Sequence, residues 1–174
     1  MLKILRYPDR SLRAPARPVV APWDSDLIPE KILIESLREL NAVGIAANQV
    51  GDPRAFCVVG IPERVPFIMV NPEIVEQAEQ TGFEDEGCLS LPGITVAVHR
   101  PLWVRVVWQT MEGEEAAERF GGLAARIVCH ELEHLRGGLI LDHLSLLKRR
   151  KLQSYIARCV RIERRNLKMV LQGV

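Results

Sequence analysis

The sequence predicts an α+β protein, because strand-like segments precede a long helix-like region along the chain. Apolar and polar residues alternate over residues 94–98 and 104–108, which is the period of a half-buried strand. Residues 123–136 lie between two glycine pairs, and Gly137 suits a helix end, where φ is positive. We expect short antiparallel or mixed sheets packed around this central helix, followed by a C-terminal helix.

The other elements follow from local signals along the chain. The proline-rich first 25 residues should wrap over the surface with little helix. Apolar residues at three- and four-residue steps predict a helix over 27–42, with Asp26 as its N-cap. Short apolar runs bounded by glycine and proline predict buried strands at 54–59 and 66–70. A turn is expected over 111–114 and the C-terminal helix over about 147–171.

Composition indicates one soluble domain spanning residues 1–174, since 48% of the residues are hydrophobic and 26% are charged. No apolar run approaches the roughly 20 residues that cross a bilayer, and the N-terminus lacks the apolar stretch of a secretory signal. Four cysteines in a chain of this length do not indicate a disulfide framework. We therefore expect a protein of the reducing cytoplasm.

The formal net charge of +1 conceals a basic tail. Residues 148–168 hold nine basic residues and one acidic residue, which leaves 14 basic and 21 acidic residues elsewhere. A tail of +8 on a body of −7 is either a solvated face that aids solubility or a surface for phosphate-rich partners. Ribosome or RNA binding through this helix is therefore one hypothesis for its function.

The sharpest motif is His130-Glu131-Leu132-Glu133-His134. Helical residues four apart lie on the same face, so the two imidazoles can bind one ion. Glu131 is placed to take a proton from a water molecule on that ion. The alternative is a surface helix with two chance histidines, but Leu123 and Ile127 share their side of the helix and turn it inward.

A catalytic metal site of this kind normally has three protein ligands and one open position. One known extension of this motif has a third histidine at position 140, but the residue here is Ile140, and His143 falls three residues too late. Another has a glutamate ligand on a later helix, but the only candidate, Glu163, lies among arginines. Cys88, in a glycine- and proline-flanked segment, is the candidate third ligand, although an isolated cysteine is more often a small buried apolar residue.

Three segments together resemble the motifs of peptide deformylase, in order and at similar spacing. They are Gly44-Ile-Ala-Ala-Asn-Gln49, Glu86-Gly-Cys-Leu-Ser90 and the histidine motif at 130–134. Proteins of that family remove the formyl group from the N-terminal formylmethionine of new polypeptides. The resemblance covers nearly the whole chain.

The resemblance implies a role for each matching residue. Cys88, His130 and His134 would bind one divalent metal, usually Fe(II) in the family, with Zn(II), Ni(II) or Co(II) as substitutes. Glu131 would act as general base and acid, and Gln49 with the Leu89 N–H would bind the developing oxyanion. Substrate contacts would come from one further set: Val43, Gly44, Ile45, Arg100, Leu123 and Ile127.

Three positions depart from the family pattern. Ala42 stands for a usual glycine, Cys129 for glutamine and Glu133 for aspartate. These residues surround the site and can alter metal affinity or activity. An alternative function is therefore a slower protein of the same fold that binds formylated peptides. His99 and His143 match no role and are expected to be structural or on the surface.

Overall fold

The computed structural model describes residues 2–20, 30–156 and 158. The helices are α1 (Glu30–Glu39), α2 (Gly122–Leu135) and α3 (residues 146–156). The strands are, in order, β1 (Gly44–Ala46), β2 (Phe56–Val59), β3 (Phe67–Gln77), β4 (Thr81–Gly87), β5 (Thr95–Pro101), β6 (Trp103–Gln109) and β7 (Glu115–Gly121). Short 3₁₀ turns cover Arg10–Arg13, Ala47–Val50 and Ile140–His143.

The strands form two antiparallel sheets, which confirms the α+β prediction. Five strands pair in the order β1-β2-β3-β6-β7, while β4 and β5 form a separate hairpin. Helix α2 contacts strands of both sheets. Its apolar residues Ala125, Val128 and Leu132 are almost fully buried against the five-stranded sheet. The helix that carries the histidine motif is therefore held on its apolar face by the core.

A second apolar cluster lies beneath the hairpin. Val96 and Val98 of β5 pack with Leu12, Leu139 and Leu141 in this cluster, and all five are buried. The alternation of β5 turns these valines and Arg100 to the buried face, whereas Thr95 and His99 on the opposite face are exposed. The hairpin is thus fixed beside α2 by its own core.

The described part of helix α1 spans Glu30–Glu39 and ends before the predicted residue 42. The predicted Asp26 N-cap and residues 27–29 lie outside the described residues. Asn41 has a φ of 50°, and the Ala42 N–H donates to the Leu37 carbonyl. A residue in the left-handed region at this place ends a helix, so Ala42 cannot extend it.

Strands β4 and β7 were not expected. Both are rich in charged and small residues, and only Glu86 of β4 and Phe120 of β7 are buried. Each pairs along its whole length with a neighbour, β4 with β5 and β7 with β6. Hydrogen bonds to the neighbouring strand, which local composition does not reveal, therefore define them.

The start of the basic tail is tied to the body of the protein. Arg149 donates to the Asp142 carbonyl at 2.8 Å and pairs with its carboxylate, which Arg13 also contacts. Ile156 is buried in the hairpin cluster. Arg158 is exposed, whereas most of the predicted helix beyond residue 156 lies outside the described residues. None of the helices in the described part is long and apolar enough to span a membrane.

Candidate metal centre

Three side chains from two elements converge at one point. Cys88 follows β4 directly, and His130 and His134 lie one turn apart on α2. One ligand atom from each of the three lies within 4.8 Å of the others. Cys88 Sγ is 3.2 Å from His134 Nε2, and the two imidazoles meet nearly edge to face. A thiolate and two imidazoles suit a borderline divalent metal.

Glu86 orients the first histidine. Its Oε2 lies 3.0 Å from His130 Nδ1, which leaves the other ring nitrogen for a ligand. Arg100 contacts both Glu86 oxygens, at 3.0 and 2.9 Å, and Arg126 donates to Oε1 at 2.8 Å. Burial alone would raise the pKa of Glu86, but the contacts from His130 and Arg100 hold it far below its usual range. Glu86 is therefore a permanent anion beside His130.

The electrostatics of the centre favour a bound cation. Burial opposes a charge on His130, but contacts with Cys88 and Glu86 raise the pKa of His130 to about 10. Burial and the charge on His130 lower the pKa of His134 well below its usual value. His134 is thus neutral, as a metal ligand must be. The negatively charged groups around His130 would also stabilise a metal ion, so this group of residues suits metal binding.

Glu131 lies in different surroundings. Its side chain is buried, and its Oε2 has no hydrogen-bond partner among the described residues. Burial raises the pKa of Glu131 to about 7. A Cβ on Gly44 would lie 2.2 Å from Glu131 Oε1. Glycine at position 44 therefore leaves room for this carboxylate, a requirement beyond the substrate contact that the resemblance implies.

The Gln49 amide is fixed with its nitrogen toward the second motif. The Ala46 N–H donates to Gln49 Oε1 at 2.9 Å, and Gln49 Nε2 donates to Ser90 Oγ at 3.2 Å. The same nitrogen lies 3.6 Å from Cys88 Sγ. An amide N–H is thus held beside the candidate metal ligands, where it can stabilise negative charge.

A cavity of about 1000 Å³ opens onto this centre. Its lining includes four of the expected substrate residues: Val43, Gly44, Leu123 and Ile127. Glu131, Gln49 and Leu89 also line it. The cavity therefore joins an apolar wall to the polar groups around the metal ligands.

Two expected substrate residues lie elsewhere. Ile45 is buried in the main core. Arg100 is buried and directs its guanidinium at Glu86 and Glu133, whereas the arginines on the cavity wall are Arg6 and Arg126. The Arg100 guanidinium pairs with both carboxylates at once, and this explains why it turns away from the cavity.

The sequence did not predict the part played by the N-terminal segment. Residues 2–6 line the cavity. The Leu5 N–H donates to the Gln49 carbonyl at 2.7 Å, and the Tyr7 N–H donates to the Ser90 carbonyl at 2.9 Å. This segment therefore bridges the loops that carry the first and second motifs. The distant carbonyl to which a backbone N–H donates cannot be read from the local sequence, so no local signal could have indicated this role.

The remaining cysteines lie apart from the three-ligand group. Cys57 and Cys129 are buried, and neither is a member of the group. Cys159 lies outside the described residues. His143 has a partner in the site region, since its Nε2 lies 2.9 Å from Glu133 Oε1. His99 stacks on the exposed Phe83 ring of the hairpin.

Comparison with known proteins gives one consistent family. The model of the polypeptide deformylase family matches residues 1–150. A peptide deformylase of Thermotoga maritima is 39% identical over 166 residues, covering 92% of this chain and 99% of that protein.

Solved structures agree with the sequence relatives. The crystal structure of the Thermotoga maritima peptide deformylase superposes with a TM-score of 0.77 at 38% identity, covering 83% of this chain and 98% of that one. A class I type b peptide deformylase from Acinetobacter baumannii, solved with Met-Ala-Ser bound, gives a TM-score of 0.75 at 32% identity, with 83% and 98% covered. With the three motifs assembled at one cavity, this chain belongs to the polypeptide deformylase family.

Proposed function

We propose that this chain hydrolyses the N-terminal formyl group of formylmethionyl polypeptides at the centre formed by Cys88, His130 and His134. The observation that carries the proposal is the convergence of these three ligand atoms beside Glu131, whose Oε2 has no hydrogen-bond partner among the described residues, at a cavity with an apolar wall. Residues 1–174 act as one catalytic domain, and the cytoplasm is the compartment in which it works.

Cys88, His130 and His134 would hold one divalent metal, for which we propose Fe(II), with Zn(II), Ni(II) or Co(II) able to replace it. Such a metal supplies Lewis-acid activation of water and of the formyl carbonyl. In air Fe(II) would be oxidised in addition to the thiolate, whereas Ni(II) resists oxidation. The activity of protein handled in air should therefore decay faster for the iron form than for the nickel form. Equal half-lives of the two forms would argue against iron.

Glu131 moves the proton in this proposal. Its buried carboxylate has an oxygen without a partner, so it can accept a proton from the attacking water and return it to the leaving amine. The raised pKa of Glu131 keeps both protonation states accessible. The Gly44 backbone gives the carboxylate the space that it needs.

Gln49 and the Leu89 N–H stabilise the formyl oxygen as it gains charge. The Gln49 amide is held by Ala46 and Ser90, so its N–H need not reorganise during the reaction. Leu89 follows Cys88 directly, which places its backbone N–H next to a metal ligand. Both residues line the cavity.

The substrate methionine would occupy the apolar wall lined by Val43, Leu123 and Ile127. Val43 and Leu123 are each about half exposed, so their apolar surface is open to a ligand. Strand β1 lies at the end of its sheet, where a peptide backbone can add as a further strand. The Acinetobacter baumannii relative was solved with Met-Ala-Ser, a peptide that begins with methionine, and this supports a methionyl substrate for this chain. Ile45 and Arg100 would act indirectly, by supporting the site.

The deciding experiment measures formate release from formyl-Met-Ala-Ser by anaerobically purified protein of known metal content. We expect turnover with the formylated peptide and none with acetyl-Met-Ala-Ser. Cys88→Ala should lose both metal and turnover, whereas Cys57→Ala, which changes a buried core cysteine, should keep both. Stoichiometric metal in Cys88→Ala would contradict the third ligand, and binding of formyl-Met-Ala-Ser without turnover would favour a binding protein.

The basic tail suggests a second role, which is weak association with the ribosome. The supporting observation is the excess of basic residues over positions 148–168 against an acidic body. Binding to phosphates weakens steeply between about 50 and 200 mM salt. Co-sedimentation with ribosomes should follow that dependence and fall when Arg158, Arg161 and Arg165 are changed to Glu. Absence of co-sedimentation at low salt would leave the tail without this role.

A further inference from the structure

Glu133 joins an exposed histidine to a buried arginine. Its Oε1 lies 2.9 Å from His143 Nε2, and its Oε2 accepts a hydrogen bond from Arg100 Nη2 at 2.7 Å. The Glu133 side chain is 19% exposed and that of Arg100 is 8% exposed. A carboxylate with a cation or a histidine on each oxygen is fixed in orientation. The contacts on both oxygens therefore hold the Glu133 carboxylate in a single orientation.

The same arginine holds the oxygen that faces the metal ligand. Arg100 Nη2 donates to Glu86 Oε2, and this oxygen also contacts His130 Nδ1. Arg126 reaches only the other oxygen, Oε1. Arg100 is thus the guanidinium that fixes the Glu86 oxygen next to His130. A continuous line of contacts runs from His143 through Glu133, Arg100 and Glu86 to His130.

Gly138 makes room for this arrangement. Its N–H donates to the Glu133 carbonyl at 2.8 Å. A Cβ at position 138 would lie 2.4 Å from Glu133 Cγ and 3.2 Å from Glu133 Oε1. Position 137 requires glycine because its φ is positive, whereas the φ of Gly138 is not positive. The space that glycine leaves at 138 is therefore taken by the Glu133 side chain.

We propose that Glu133 is a positioning residue for the metal centre, which acts on His130 through Arg100 and Glu86 and is seated by Gly138. This inference rests on the proposed ligation of a metal by His130. It assigns a role to a position where this chain departs from the usual aspartate. The longer side chain reaches Arg100 and His143 together, and glycine at 138 accommodates its additional length.

The first test measures chelator-driven release of Co(II) from the loaded protein. Glu133→Gln keeps the size of the side chain but removes its charge. The matched control is Glu118→Gln, because Glu118 on β7 accepts two hydrogen bonds from Arg64. We expect Glu133→Gln to release Co(II) about tenfold faster than wild type, with a changed Co(II) absorption spectrum, and the control to match wild type. Wild-type release and spectrum in Glu133→Gln would overturn the proposal.

The second test uses the metal-free protein and follows thermal unfolding. Gly138→Ala should lower Tm, because its Cβ displaces the Glu133 side chain. Glu133→Asp, introduced into the same chain, should restore most of that loss by withdrawing the side chain. Purely additive effects of the two changes would overturn the seating role of Gly138.

The two proposals fail in distinguishable ways. A wild-type chain that binds Co(II) but releases no formate would contradict the deformylase activity and leave the Co(II) comparison intact. A wild-type chain that turns over normally, with Glu133→Gln indistinguishable from the Glu118→Gln control, would remove only the positioning role. Failure of the wild-type chain to bind Co(II) would overturn both.

Discussion

Two regions of the cavity wall present buried carboxylates with opposite properties. In the first, Arg100, Arg126 and His130 surround Glu86, and its pKa is held far below the usual range. In the second, Glu131 packs against β1 with one oxygen unpartnered, and its pKa is raised to about 7. Both side chains are almost fully buried. Burial alone therefore does not produce a proton carrier, and the partners of each carboxylate decide its role.

Neutralising Glu131 should have the largest effect on activity. Glu131→Gln keeps the size of the side chain but cannot accept a proton, so deformylation should fall by about 10²–10⁴-fold. Folding and metal content should stay at wild-type levels, because Glu131 is not in the three-ligand group. The measurement is formate release with metal analysis of the same sample. Near wild-type turnover would remove the difference between the two carboxylates.

Moving Glu131 without changing its chemistry should have the next largest effect. The Cβ of Gly44→Ala would lie 2.2 Å from Glu131 Oε1, so the carboxylate must shift. A shift of roughly 1 Å in a reacting group costs about 10²-fold in rate. Gly121→Ala is the matched control, because its nearest neighbour, the Leu102 carbonyl oxygen, is 3.9 Å away. Equal turnover of the two variants would show that the position of Glu131 is unimportant.

Neutralising Glu86 should weaken the metal centre and the fold together. Glu86→Gln should lower metal affinity by about 10- to 100-fold, because His130 loses its orienting anion. It should also lower the free energy of unfolding by about 3 kcal/mol, since Arg100 and Arg126 lose a buried counter-charge. Competition with a chelator and urea unfolding measure the two effects. Glu76→Gln removes an exposed pair with Arg105 and should change stability by under about 1 kcal/mol.

The smallest effect concerns Asp142, which is paired like Glu86 but is less buried. Burial raises the pKa of Asp142, but contacts from Arg13, the Leu139 N–H and Arg149 lower it below 3.8 overall. A lowered pKa in the folded state stabilises the fold above the unfolded value, and this stability is lost as the pH falls through the folded pKa. Asp142→Asn should cost about 1 kcal/mol near neutral pH.

The pH dependence provides the check on that prediction. Urea unfolding at neutral pH and at a pH below 3.8 should show the difference between wild type and Asp142→Asn shrinking in acid. A difference that stays constant with pH would mean that shape, and not the charge of Asp142, provides the stability.

Sequence reasoning located the parts of the centre that lie close together along the chain. The helical spacing of His130 and His134 indicated α2 and two members of the candidate three-ligand group directly. The partners of Glu86 were not accessible, because they lie 14, 40 and 44 residues away and meet it only after β4 and α2 pack. The resemblance implied that Arg100 contacts the substrate, and its pairing with Glu86 and Glu133, 14 and 33 residues away, could not be read from spacing along the chain.

The 46-residue separation of Cys88 and His134 gives metal binding a thermodynamic consequence. An ion held by both would crosslink the hairpin to α2 and could bind only the folded chain. Above its Kd, each tenfold rise in free metal would then add about 1.4 kcal/mol to the free energy of unfolding. Copies of the chain made during metal starvation would unfold more often and be more exposed to proteolysis. The stability of this protein is therefore defined only at a stated metal concentration.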